Sequence, residues 1–188
     1  MSLIIKPNTG LLFMKVGLHA GESFEDILER KKQEYDDAGM IFWGYGGSTC
    51  HPTRHVQPFA KMMVEEHGDI YIVMEEIDSH HDPTVILAKE YSEDGVNWKP
   101  IPKGIEVRGS RYAVVLEELE EGDLDLDLSH YKVAAGPSTG RIASEYIGGR
   151  VDKACITMAA EQSSGVEPKI KKIHHHAKIK QPFAVFTR

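Results

Sequence analysis

From Gly44 to Gln57 the chain reads Gly-Tyr-Gly-Gly-Ser-Thr-Cys-His-Pro-Thr-Arg-His-Val-Gln. A thiol, two imidazoles, a guanidinium and several hydroxyls stand there beside Gly44, Gly46 and Gly47, which let a backbone approach a ligand closely. Phe42 and Trp43 precede the stretch and Tyr45 lies within it. Apolar walls with a few convergent polar groups are what small-molecule pockets use. A helix starting near Pro58 would add unpaired N–H groups that suit an anion.

Three chemistries can use this set. In the first, Cys50 is a nucleophile and His55 its base, with loop amides as oxyanion donors. His51 is the poorer partner, because adjacent side chains of an extended chain diverge. In the second, Cys50, His51 or His55 joins His80, His81 or Asp82 around a metal, although no Cys-x-x-Cys or His-Glu-x-x-His motif is present. In the third, Arg54, the histidines and the amides of Gly46, Gly47, Ser48 and Thr49 hold an anion while Trp43 and Tyr45 stack on a ring. His19, at the end of a preceding strand, can join them. The third asks least of geometry and is the favoured reading. The ordinary alternative is a structural loop with Cys50, Trp43 and Tyr45 in the core.

Other places carry weaker signals. Gly136-Pro137-Ser138-Thr139-Gly140-Arg141 precedes a short helix and could cradle a phosphate, but lacks the lysine of a nucleotide-binding P-loop. Its simpler role is to let Ser138 or Thr139 cap that helix. On a strand, His174, His176, Lys178 and Lys180 share a face that would suit an anion or a solvated edge. Asp123, Asp125 and Asp127 also share a face, which is a Mg²⁺ or Ca²⁺ row or, more simply, a solvated surface. Glu75 and Glu76 point to opposite faces and cannot act together as acid and base.

The elements that must position these groups follow from periodicity. Leu11 to Leu18 reads as a strand ending at His19. Ser23 and Asp26 resemble a capping box, Phe24, Ile27, Leu28 and Lys31 fall at helical spacing, and Gly39 stops the helix. Met40 to Tyr45 is a short strand, the polar stretch to Gln57 a loop, and Pro58 to His67 a second helix. Strands follow at Ile70 to Ile77, Thr84 to Tyr91, Val96 to Trp98, Ile105 to Val107 and Tyr112 to Leu119. Leu124 to Leu128, Tyr131 to Ala135, Val151 to Met158 and Ile170 to Phe186 complete them, with a short helix at Arg141 to Ile147 closed by Gly148 and Gly149. A turn at Ser92-Glu93-Asp94-Gly95 marks a hairpin. The pattern predicts a single domain over residues 1–188 of α+β class. Its sheet is expected to be mostly antiparallel and strongly curved or barrel-like, with two to three short helices.

Composition narrows the function classes. Acidic residues number 29 against 22 basic, for a net charge of −7. Lys169, Lys171, Lys172, Lys178, Lys180 and Arg188 form an acid-free tail, and removing six charges from −7 leaves −13 on the first 167 residues. An acidic body argues against broad nucleic-acid binding, and the tail is expected to pack beside the acidic stretch Glu117 to Asp127. No apolar run reaches membrane-spanning length, no secretory signal is seen, and two cysteines fit a cytoplasmic location. The expected function is binding of a small anionic, ring-containing, nucleotide-like ligand, with or without hydrolysis; the sequence names no cofactor. The alternatives are a protein-interaction or structural module and a metal-dependent hydrolase. Exposed edge strands would allow a homodimer.

Overall fold

The computed structural model describes residues 5, 7–81, 85–148, 150–161 and 164–188. Asp82, Thr84 and Gly149 lie outside the described residues, as do the side chains of His80 and His81.

Strand β1 (Gly10–His19) enters a tight turn in which Ala20 and Gly21 have φ of 52° and 80°. The backbones of His19 and Glu22 exchange both hydrogen bonds across it. Helix α1 (Phe24–Ala38) starts at a complete capping box between Ser23 and Asp26 and ends at Gly39, φ 71°. The caps are those the sequence predicts, and a cap of this kind contributes about 1 kcal/mol. β2 (Ile41–Tyr45) follows.

The next segment departs from expectation. Pro52–Val56 forms a π-turn that runs without a break into α2 (Gln57–His67). The helix thus begins six residues before Pro58. The wider turn has a physical basis. Gln57 N–H bonds to the Pro52 carbonyl five residues back, and this i→i−5 winding accommodates Pro58, which can donate no N–H of its own.

Strand β3 (Tyr71–His81) is followed by the small hairpin of β4 (Glu90–Ser92) and β5 (Lys99–Pro100). Asp94 organises its tip, accepting from Ser92 Oγ, the amides of Val96 and Asn97, and Asn97 Nδ2. Residues 105–107 form no strand; they run as irregular chain against α1. The strands expected at Tyr112 and Leu124 are one, β6 (Tyr112–Asp127), whose register shifts three times against its neighbour. Then come β7 (Tyr131–Val133), the one-turn α3 (Ala143–Tyr146), β8 (Lys153–Met158) and β9 (Ile170–Thr187).

The result is α+β, with one large sheet ordered β2-β6-β9-β3-β1-β8-β7 and the β4–β5 hairpin beside β9. β1 and β3 pair in parallel and the other pairings are antiparallel, so the sheet is mixed. β2 and β7 do not pair with each other, and the sheet is not closed into a barrel. Both outer strands are covered locally. On β2, Glu34 accepts from Phe42 N–H at 2.8 Å and Lys31 Nζ donates to Phe42 O at 2.6 Å. On β7, Val133 and Gly140–Arg141 exchange backbone hydrogen bonds. Such edges do not invite a further strand, so the edge argument for a dimer finds no footing there.

The acidic and basic stretches meet as expected, because β6 pairs with β9. Lys172 reaches Asp125 at 3.3 Å, His174 reaches Asp123 at 2.6 Å and His176 reaches Glu120 at 3.0 Å. The two histidines of the row are thus answered by the neighbouring strand, while Lys178 pairs with Asp69 at 2.7 Å. Asp127 is likewise engaged, accepting from the amides of Ser129 and Lys169.

The main core lies under α1 and α2 on one face of the sheet, and includes Ile27, Leu28, Trp43, Tyr45, Cys50, Ile72, Leu116 and Cys155. A second core packs on α3 and a third, holding Phe42, packs on Ile105 and Val107. No helix among the described residues is long and apolar enough to cross a membrane.

Candidate functional site

A cleft of about 560 Å³ opens where the last residues of β1, the end of β2, α1, residues 106–110 and the start of β8 approach one another. That volume falls within the range of small-molecule sites. Its apolar surface comes from Val16, Leu18, Ile27, Trp43 and Val107, and its backbone surface from Gly44, Gly46, Gly47 and Gly109. Gly44 has no room for a side chain, since an added Cβ would sit 2.7 Å from Ser110 Oγ.

Cations dominate the rim and walls: Lys15, Arg30, Lys31, Arg108, Arg150 and Lys153, against the carboxylates of Glu106 and Asp152. Most are already paired. Arg30 forks onto Glu22 with two 2.8 Å bonds, and Arg108 bonds Glu106 and approaches Glu22 at 3.7 Å. Burial opposes ionisation of Glu22, but the two guanidiniums together hold its carboxyl below the usual range. Lys31 is 3% exposed, bonds both Glu34 oxygens and the carbonyls of Phe42 and Glu106, and has its pKa pushed down to about 8 by burial, with Glu34 opposing. Burial also lowers the pKa of Lys15, whose ammonium donates to the Ile147 carbonyl.

The residues singled out in the sequence are divided by this geometry. His19, Trp43, Tyr45, Gly46, Gly47, Ser48 and Thr49 all line the cleft. Trp43 and Tyr45 do so as its floor, only 2% and 3% exposed, so little of either ring is open for stacking. Phe42 faces the opposite side of β2 and packs its edge on Tyr91.

Cys50, His51, Arg54 and His55 are elsewhere. Cys50 is fully buried, its carbonyl accepts the Tyr45 hydroxyl, and its thiol meets that of Cys155. A hydrogen bond with Cys50, then burial, push the Cys155 thiol up. The expected Cys50–His55 pair is not formed. His55 Nδ1 accepts the His51 amide at 3.1 Å, and His51 Nδ1 in turn caps the π-turn by accepting the Arg54 amide at 3.4 Å. The His51 ring packs edge-on to Phe186 and tilted on Tyr112, while His55 lies against Gly136. Desolvation, then the Arg54 charge, lower both imidazole pKa values. Arg54 itself is exposed. His51, Arg54 and His55 build the start of a helix, Cys50 lies just ahead of it in the core, and none of the four lines the cleft.

Thr139 does not cap α3, which begins after Ile142; its hydroxyl donates to the Gly136 carbonyl within the turn. Among the described residues no three His, Cys, Asp or Glu side chains converge as a metal site would need.

Sequence reasoning missed Lys15, Arg30, Arg108, Arg150 and Lys153, each isolated in its own element. One signal was available for Lys153. It shares a strand face with Cys155 (i, i+2), so a cation is directed toward the buried side.

The chain matches no known family. No protein-family model, curated protein or solved structure matches it.

Proposed function

We propose that the protein binds a small anionic, ring-containing ligand of nucleotide-like class in this cleft. The observation that carries the reading is the combination of glycine backbone, an apolar strip and six cations around one cavity of ligand size. A charged group would meet the cations and the amides of Gly46 to Thr49, while a ring would lie along Val16, Leu18, Ile27 and Val107. The two carboxylates of the lining are already bonded to Arg108 and Lys153, which favours binding over acid–base chemistry. That β1 and β2, with three strands between them, reach the same cleft also supports a strongly curved sheet.

The test is a thermal-shift panel of nucleotides on the wild type, Gly46→Trp and Arg54→Ala. A Cβ at Gly46 would meet nothing within 4 Å and needs no unusual φ, so tryptophan there adds bulk at the cleft lining without straining the backbone. Stabilisation of the wild type and of Arg54→Ala, lost in Gly46→Trp, is the expected result. An equal response from wild type and Gly46→Trp would remove the cleft from consideration.

A further inference from the structure

Of the two cations buried in the cleft wall, Lys31 and Lys153, the second is held differently from the first. It is 5% exposed, yet among the described residues its ammonium has one hydrogen-bond partner, Asp152 Oδ1 at 2.7 Å. That carboxylate is itself half in solvent, with 52% of its side chain exposed. The ammonium also lies 5.9 Å from the centre of the Tyr45 ring and 3.7 Å from the point where a Cβ on Gly47 would stand. An ammonium carries three donors and is strongly hydrated in water, so burying it with one partner is costly unless something else completes its shell. Lys31, by contrast, is bonded to Glu34 and to the carbonyls of Phe42 and Glu106, and Arg30 to Glu22 and the Glu106 carbonyl.

The backbone over this ammonium is also free. The amides of Gly47, Ser48 and Thr49 line the cleft and donate to no protein acceptor among the described residues, and neither do the hydroxyls of Ser48 and Thr49. Gly47, at φ 83°, turns the chain as a non-glycine residue would resist doing. Successive unpaired amides beside a cation suit an anion.

We infer that Lys153 and the Gly47–Thr49 backbone form a subsite for a phosphoryl group, with the exposed Arg150 at its rim. This rests on the reading that the cleft binds an anionic ligand, and it names the anion. Two free ammonium donors, three amides and two hydroxyls exceed what the two oxygens of a carboxylate can accept. The three terminal oxygens and double charge of a phosphate monoester match them, even with Asp152 alongside.

The experiment is calorimetric titration of the full chain with AMP and with adenosine, on wild type, Lys153→Gln, Arg150→Ala and Gly46→Trp, with inorganic phosphate and acetate as competitors of AMP. AMP should bind the wild type at least about 10-fold more tightly than adenosine, an advantage of the size that charge-assisted hydrogen bonds give. Lys153→Gln should abolish that advantage, Arg150→Ala should reduce it, and phosphate but not acetate should compete. If AMP and adenosine bind alike, unaffected by Lys153→Gln but lost in Gly46→Trp, the phosphoryl subsite is overturned while the cleft stands. If neither compound binds the wild type, or Gly46→Trp binds as well as wild type, both readings fall. Should Lys153→Gln not fold, the wild-type comparison of phosphate with acetate decides alone, and equal competition by the two overturns the subsite.

Discussion

The two halves of the segment from Gly44 to Gln57 have similar richness in polar groups and opposite fates. In the first half, Gly44 to Thr49, the amides from Gly47 to Thr49 donate to no acceptor among the described residues, and the chain borders the cleft. In the second half His51, His55 and Gln57 bond one another or neighbouring backbone, while Arg54 is exposed. His51 caps, His55 accepts the His51 amide, and Gln57 donates to the carbonyls of Glu93 and Ala184. Reactive residue types therefore do not by themselves mark a site. A polar group already satisfied within the fold has little left to offer a ligand, whereas one facing a cavity without a partner does.

This contrast can be broken in graded ways. The largest effect should come from the frame that carries both halves. Glu34 and Lys31 fasten α1 to Phe42 on β2, and both are nearly excluded from solvent. Glu34→Ala leaves the buried Lys31 ammonium without its counter-charge and the Phe42 and Glu106 amides without their acceptor, and should cost about 3–5 kcal/mol. Denaturant unfolding measures this, and a loss well under 1 kcal/mol would show that the pair does not hold the edge.

A smaller effect is expected at the joint between the halves. Tyr45 floors the cleft with its ring and holds the Cys50 carbonyl with its hydroxyl. Tyr45→Phe strands that buried carbonyl and should cost about 1–3 kcal/mol. Ligand-induced stabilisation should persist in this variant, because the ring that lines the cleft is retained; its loss would mean that the two halves are not separable.

The smallest effect is a pH dependence confined to the second half. The folded-state pKa values of His51 and His55 lie below the ordinary 6.5, through desolvation and then Arg54. The unfolded chain thus takes up protons first on acidification. The stability these groups contribute is full above pH 6.5 and declines as pH falls through the folded values. Protonation at Nδ1 also removes the acceptors for the His51 and Arg54 amides. His51→Asn/His55→Asn should lose less stability than wild type between pH 7.5 and 5.5 in thermal melts. An identical slope would mean that the imidazoles are not what holds the π-turn.

Much of the scaffold was legible in the sequence. The caps of α1 were readable because Ser23, Asp26 and Gly39 act on backbone within one turn of themselves. The pairing of acidic and basic stretches was readable from composition, since Lys172 and His174 needed partners and Asp125 and Asp123 were nearest in kind. The π-turn was not, because Pro58 is equally consistent with a helix start and with a wide turn that absorbs it. Half of the candidate site was found through its glycines. Lys153, Arg150 and Arg108 were invisible as a group, since no local rule relates a residue in β8 to residues after β2 and before β6.

Sequence alone determined the α+β class, the start and stop of the first helix, and the complementary charge of β6 and β9. Each depends on side chains acting over a few residues or on a sum of charges. Only the tertiary structure decided that the sheet stays open, that Cys50 lies in the core, and that Lys153 sits beneath the Gly47 backbone. Those outcomes depend on which distant strands become neighbours, and on which polar groups find partners before any ligand arrives.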